Sequence, residues 1–296
     1  MKVLVIGGSG MLGHKLVQIL SGKFDLWTTL RFDFSRYKSF GIFDERKTVC
    51  GVDIENFTMV EKVVADLKPA VIINAVGIIK QLPSAKNVIK TLNVNSIFPH
   101  QLGEISNQIK ARLITISTDC VFNGKKGNYA ETDVSDAEDL YGKSKYLGEV
   151  TSENCLTLRT SIIGRELNTE HSLVEWFLRN NGKSVKGYTK AIYTGFPTLT
   201  IAGIIGDLIE NQPQLQGLYH VSSEPISKYE LLKLVKDAYR VNIEIEPFNE
   251  FEIDRSLDSS RFRAATGFQP VSWGEMIKRM AADHKIYATL TAKSPA

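Results

Sequence analysis

A doubly wound α/β fold, a parallel sheet covered by helices on both faces, is the architecture that this 296-residue sequence predicts. Two observations predict it. Short apolar runs recur at residues 2–6, 25–30, 70–74, 112–116 and 156–159, and stretches of helical spacing fill the gaps between them, which is the alternation of a buried parallel sheet. The first run also leads through a glycine turn, Gly7, Gly10 and Gly13, into Leu12, Leu16, Ile19 and Leu20 at helical spacing.

The later elements follow in order. Thr58 with Glu61 makes a capping box ahead of Val60, Val63, Val64 and Leu67, so a helix is expected to start soon after Asp53. The run at 70–74 closes on Asn74-Ala75-Val76-Gly77, and the run at 112–116 closes on Ser117-Thr118-Asp119. Beyond about Gly164 the alternation loosens, and residues 187–190 and 247–257 read as loops. Ile201, Ile204, Ile205, Leu208 and Ile209 mark a helix, while Ser227/Glu230 and Ser272/Glu275 box the starts of two more. The chain is therefore expected to divide into a Rossmann-type domain and a smaller interlaced carboxyl-terminal substrate lobe. The first would comprise 1–163, with 192–221 returning to it, and the second 164–191 and 222–296.

Composition excludes several classes. With 43% hydrophobic residues the chain can furnish a sizeable core. The balance of 36 basic against 33 acidic residues does not suit a nucleic-acid binder. No apolar run of ~18 residues appears, and the amino terminus lacks a signal-peptide pattern, so no membrane partner and a cytoplasmic location are expected. Cys50, Cys120 and Cys155 are widely spaced and odd in number, which fits reduced thiols. The histidines form no local metal motif, and no catalytic metal is expected.

The glycine turn has a mechanism. Without side chains at Gly7, Gly10 and Gly13, the backbone from Gly7 through Ser9, Met11 and Leu12 can approach a pyrophosphate at a helix start. Arg31 follows the second strand, where an acid would bond the free ribose hydroxyls of NAD. A cation there instead meets a 2′-phosphate, so NADP is expected as cofactor, with NAD left open. Asp53, with Ile54 beside it, stands where a carboxylate accepts from the adenine amino group. Asn74-Ala75-Val76 ends another strand with small residues, letting a dinucleotide cross the sheet edge.

Tyr141 and Lys145 are four apart, so on a helix they share a face. A phenol titrates near ~10, and a nearby ammonium would lower that value toward working pH. Thr118, at a strand end 23 residues earlier, can hydrogen-bond a substrate oxygen. Asn95 is placed in a helix, where it can bond backbone or water behind the site, and it is counted with the cofactor-binding residues.

Together these motifs, including Ser117-Thr118-Asp119-Cys120-Val121-Phe122-Asn123-Gly124, resemble the extended short-chain dehydrogenases, whose glycine spacing is also GxxGxxG. Within them the sequence is most similar to the dTDP-4-dehydrorhamnose reductases. Asn95 with Pro99, Leu158-Arg159-Thr160-Ser161, Pro197-Thr198, Gly217-Leu218-Tyr219-His220 and residues 255–257 extend the match over nearly the whole chain. The resemblance implies hydride delivery from NADPH to the C4 ketone of a nucleotide-activated 4-keto-6-deoxyhexose, in deoxysugar biosynthesis for surface polysaccharide. Thr118, Tyr141 and Lys145 would be the catalytic set, and a nucleotide sugar the small-molecule partner. Lys80, Gln81 and Arg255 are candidates for substrate contacts, and a homodimer stays open. Cys120 stands where these reductases usually carry an aromatic residue, and 187–197, where the substrate lobe should touch the hexose, differs as well, which leaves the sugar and base open. Alternatives are an epimerase or dehydratase of the same fold, or a non-catalytic regulatory subunit that keeps the dinucleotide site.

Overall fold

The computed structural model describes residues 1–283 and Tyr287. The chain opens with β1 (Lys2–Ile6), α1 (Gly13–Leu20), β2 (Asp25–Thr29), β3 (Thr48–Val49), α2 (Phe57–Leu67) and β4 (Val71–Asn74). It continues through α3 (Val88–Leu92), a π turn over Asn93–Ile97, α4 (Phe98–Gln108), β5 (Arg112–Ser117), α5 (Leu140–Leu147), β6 (Cys155–Arg159) and β7 (Ile162–Ile163). Next come α6 (Leu173–Leu178), β8 (Ser184–Tyr193), β9 (Phe196–Pro197), α7 (Thr198–Asn211), β10 (Gly217–His220) and β11 (Ile226–Ser227). The last are α8 (Lys228–Tyr239), β12 (Glu244–Asp254), α9 (Ser260–Thr266) and α10 (Trp273–Ala282).

Seven strands form one parallel sheet in the order β10-β6-β5-β4-β1-β2-β3. Because successive side chains of a strand point to opposite faces, β1 alone builds both halves of the core. Val3 and Val5 meet Leu16 and Leu20 of α1 and Ile201, Ile205 and Leu208 of α7, whereas Leu4 and Ile6 meet Val60 and Val64 of α2 and Phe98 and Leu102 of α4. Each such aliphatic side chain contributes about 1.5–3 kcal/mol when removed from water, and this burial holds the helices to the sheet. The strand order reverses between β1 and β4, which opens a crevice at their carboxyl ends. The Rossmann-type expectation is borne out.

Beside this sheet stands a second one, β11-β8-β12, with β8 and β12 parallel. It corrects the sequence reading, which took 187–190 and 247–257 for loops. Gly187, Pro247 and a run of charged residues disguise two long strands whose outer faces are in solvent. Pro247 is tolerated because β12 pairs on one side with β8 and is an edge of its sheet. The π turn and α4 bury Val94, Phe98 and Leu102, and they pack against α5.

The helix starts at Ser227 and Ser272 form as expected, each hydroxyl accepting from the backbone N–H three residues on, at 3.1 and 3.3 Å. The Thr58–Glu61 box does not form. Helix α2 begins earlier, after Asn56, and the Asp53 carboxylate turns the chain by accepting from the Glu55 N–H at 3.2 Å. Cys50, Cys120 and Cys155 are free thiols. Among the described residues no helix is long and apolar enough to cross a membrane.

Helix α5 lies hard against the loop after β5. The Asp139 side chain caps it by accepting from the Gly142 N–H at 2.7 Å, and a Cβ on Gly142 would sit 2.1 Å from the Cys120 carbonyl oxygen. Gly142→Ala is therefore expected to destabilise the fold by about 1–3 kcal/mol through overpacking. Denaturant midpoints of the two proteins measure this, and an unchanged midpoint would show that the contact is slack.

Candidate functional site

The glycine turn forms a cradle at the crevice. Gly7 takes a positive φ of 88°, and a Cβ on Gly13 would overlap the Gly7 carbonyl oxygen at 2.0 Å, so α1 can start this close to β1 only without side chains. No side chain caps the start of α1, which leaves its first-turn amides facing a site suited to an anion. Ser9 and Met11 are half-buried in this turn. Leu12 turns its side chain into the core, so it can meet a ligand only through its backbone. Across the crevice Asn74 ends β4 and accepts from the Val76 N–H at 3.1 Å. Ala75 donates to the Ile6 carbonyl, and the Val76 side chain abuts Gly7. The cradle that a Cβ would fill is what a dinucleotide pyrophosphate requires.

Arg31 is exposed at the end of β2. It is drawn to Asp53 at 3.6 Å and Glu55 at 3.9 Å, so the expected phosphate reader and the expected adenine acceptor lie side by side. Ile54 opens on a small cavity shared with Phe57, Val94 and Ile97. Arg36 was not singled out in the sequence. Its guanidinium stacks 4.4 Å above the Phe32 ring, which Arg31 also flanks at 5.8 Å. Two arginines five apart with an aromatic between them were the available signal.

The structure brings Thr118, Tyr141 and Lys145 together at the carboxyl end of β5. Thr118 is buried; its Oγ1 accepts from the Cys120 N–H and donates to Asp119 Oδ1, each at 3.1 Å. Burial pushes the half-buried Tyr141 phenol well above the ordinary range, and the nearby Cys120 thiol adds to this, while a hydrogen bond with Thr118 works the other way. Burial also pulls the Lys145 ammonium down to about 8, opposed by the Glu149 carboxylate. The expectation that Lys145 lowers the phenol is thus corrected: Lys145 Nζ donates to the Ile116 carbonyl at 2.7 Å, and desolvation dominates both groups.

Asn95 is also corrected. It is buried in the π turn, where Oδ1 accepts from the Ile78 N–H while Nδ2 donates to the Ile78 carbonyl and the Ser144 hydroxyl, at 2.8, 3.0 and 3.1 Å. Both amide protons are committed, so Asn95 ties α5 to the loop after β4 instead of contacting a cofactor.

Beyond Tyr141 lies a cleft of about 300 Å³ lined by Asp119, Cys120, Trp176, Lys186, Tyr188 and Arg255, among others. Arg255 Nε donates to the Phe122 carbonyl at 2.7 Å, which fixes the guanidinium on the cleft wall. Lys80 ion-pairs with Asp139 at 2.5 Å and lies 5.6 Å from the Tyr141 ring centroid. It stands beside the phenol but its charge is engaged. Gln81 is exposed. Tyr188 and Tyr193 line the cleft from within 187–197, the segment expected to meet the hexose, whereas Trp176, Lys186, Lys228 and Phe251, also on the cleft, are not found from sequence, because they come from α6, β8, α8 and β12 and no spacing joins them.

Comparison with known proteins adds one decisive fact: residues 1–286 match the family described as RmlD substrate binding domain. The chain belongs to that family. The resemblance to dTDP-4-dehydrorhamnose reductases is borne out. A dTDP-4-dehydrorhamnose reductase of Aggregatibacter actinomycetemcomitans is 26% identical to this RmlD-family chain, over 95% of it and 98% of the relative. The methionine adenosyltransferase 2 subunit beta of Xenopus laevis is 24% identical over 81% of the chain and 72% of the relative. The solved dTDP-4-dehydrorhamnose reductase from Bacillus anthracis, in complex with NADP, shares the fold at a TM-score of 0.78 and 24% identity, covering 96% of this chain and 99% of that one.

Placed over the crevice edge, Arg31 makes a sharp expectation. Arg31→Ala should weaken NADPH about tenfold more than NADH, since a charge-assisted bond is worth ~1.5–3 kcal/mol and this site is exposed. Fluorescence titration with both dinucleotides measures it; equal losses would remove Arg31 as the phosphate reader.

Proposed function

We propose that this chain is an NADPH-dependent reductase of a nucleotide-activated 4-keto-6-deoxyhexose, of the dTDP-4-dehydrorhamnose reductase type, acting in deoxysugar biosynthesis for surface polysaccharide. The observation that carries the reading is that Thr118, Tyr141 and Lys145 converge on the carboxyl end of β5, beside the cleft that Asp119 and Cys120 line. The family relative named as a reductase, matched almost end to end, supports it.

The residues fit the task. The dinucleotide, when bound, supplies the hydride. Gly7, Ser9, Gly10, Met11 and Gly13 hold its pyrophosphate, while Arg31 with Asp53 and Ile54 receives the adenosine end. Asn74, Ala75 and Val76 line the crossing. Thr118 donates to the ketone oxygen and Tyr141 gives its proton to the alkoxide that develops there. A phenol held above its ordinary range stays protonated at neutral pH, which suits a donor in the reductive direction. The alkoxide is the stronger base, so the transfer runs downhill. Lys145 orients the nicotinamide ribose from the helix that carries Tyr141. Arg255, with Lys186 and Lys228 on the same cleft, offers cations for the substrate diphosphate, and Lys80 sits at its catalytic end. Exposed Ile89, Ile97 and Leu147 on neighbouring helices favour a homodimer.

The relationship to a methionine adenosyltransferase subunit favours a second reading, a dinucleotide-binding subunit without turnover. NADPH oxidation followed optically with a panel of dTDP- and UDP-linked 4-keto-6-deoxysugars separates the two. Turnover of one of them is expected; tight NADPH binding with no oxidation would favour the second reading. Tyr141→Phe should lower kcat by about 10²–10⁴-fold with the NADPH affinity kept, and wild-type turnover in that variant would overturn the proton-donor role. Arg255→Ala should raise KM for the sugar nucleotide about tenfold or more with NADPH affinity intact. An unchanged KM would remove Arg255 from the substrate site.

A further inference from the structure

We propose that Glu149 is a positioning residue of this site: its buried carboxylate ties the strand end bearing Thr118 to the helix bearing Tyr141 and Lys145, and it is the counter-charge of the Lys145 ammonium. The proposal rests on the catalytic reading of Tyr141 and Lys145 given above and adds a regulator of their charge state. Glu149 follows the end of α5. Its Oε1 accepts from the Ser117 hydroxyl at 2.6 Å and from Arg159 Nε at 2.7 Å, and its Oε2 accepts from the second Arg159 nitrogen at 2.7 Å. The two side chains are 6% and 3% exposed. Arg159 continues to His220 Nε2 on β10 at 3.2 Å and lies 5.3 Å from the Phe122 ring centroid. One carboxylate thus joins the ends of β5 and β6 to the catalytic helix, and through Arg159 the junction reaches β10.

A buried ion pair is a poor way to gain stability, because removing two charges from water costs several kcal/mol per ion and apolar residues of similar volume often serve as well. The clamp therefore points to a task other than holding the fold. That task is set by the surroundings of Lys145. The ammonium is buried, its bond goes to a neutral carbonyl, and burial draws it toward the neutral amine. Lys145 Nζ is anchored on the Ile116 carbonyl while Glu149 holds the hydroxyl of the adjacent Ser117, so the carboxylate stands one residue along the strand from the ammonium's own anchor and favours its charged form. The other groups nearby act elsewhere. Arg159 on β6 and His220 on β10 face Glu149, and His220 is held down to about 4 by burial and Arg159, so it is neutral near pH 7. Asp119, Cys120 and Asp139 act on Tyr141. Without the carboxylate, Lys145 would lose its proton at a lower pH, and with it the positive charge on the catalytic helix.

The test is the pH dependence of turnover by Glu149→Gln and by the double variant Glu149→Gln with Arg159→Met, which leaves no unpaired guanidinium should the single variant fail to fold. Removing a neighbouring opposite charge lowers a buried ammonium by about one pKa unit. The basic limb of kcat/KM should then move down by about one pH unit, and the loss relative to the wild type should be about five times larger near pH 8 than near pH 6. A merely structural lesion lowers activity equally at both. A readout independent of turnover comes from lysines labelled with ¹³C at Cε: Lys145, identified by its loss in Lys145→Arg, should titrate near 8 in the wild type and lower in the variants. An unmoved Lys145 titration, or a basic limb at the wild-type position in a folded variant, would overturn the proposal. If the wild type reduces no keto sugar, the proposed reaction fails, while the Lys145 titration still decides on Glu149.

Discussion

The start of α1 against the end of β1 is the constraint on which the rest of the molecule depends. Gly13 packs so closely on the Gly7 carbonyl that no other residue fits without moving the backbone. That approach lets Leu16 and Leu20 reach Val3 and Val5, and it turns the amides of the first helical turn toward the crevice. Packing of the core and shaping of an anion site are in this way one event. A side chain there would push the helix off the sheet and fill the cradle together.

Parallel pairing then decides where chemistry gathers. Every strand of the large sheet runs the same way, so the carboxyl ends of β1, β2, β4, β5, β6 and β10 lie along a single edge. Those ends carry the glycine cradle, Arg31, Asn74, Thr118, Arg159 and His220. Residues from six distant parts of the sequence come to share that edge. The same edge buries polar groups in matched sets, Asn95 with Ile78 and Ser144 and Glu149 with Ser117 and Arg159. Buried polar groups of this kind demand a particular register between helix and strand, because a mismatched one would be left unsatisfied.

Burial at this edge also sets the electrostatics. Desolvation drives the phenol of Tyr141 up and the ammonium of Lys145 down, so both drift toward their neutral forms. A proton held firmly on oxygen is appropriate where an alkoxide is to be formed. The charge of the lysine is the more fragile of the two, and a carboxylate buried next to the helix end offsets that tendency. The distal sheet contributes differently, placing cations and aromatic rings on the cleft from strands whose other faces meet water.

The sequence by itself determined the alternating strands and helices, the glycine turn, and the Tyr141–Lys145 pair, because each is written in local spacing that backbone geometry converts directly into a face or a turn. Two of its capping boxes formed for the same reason. It misjudged the Thr58 box, where an aspartate three residues upstream of Asn56 turned the chain first, and it misread β8 and β12, whose charges and proline suit a one-sided edge strand as well as a loop. Only the tertiary structure decided that Asn95 is a tie between elements, that Lys80 is committed to Asp139, and that Trp176, Lys186 and Phe251 share a cleft with Arg255. The direction in which Tyr141 and Lys145 titrate was likewise a tertiary matter, since desolvation depends on what surrounds a group in space, and no spacing along the chain records it.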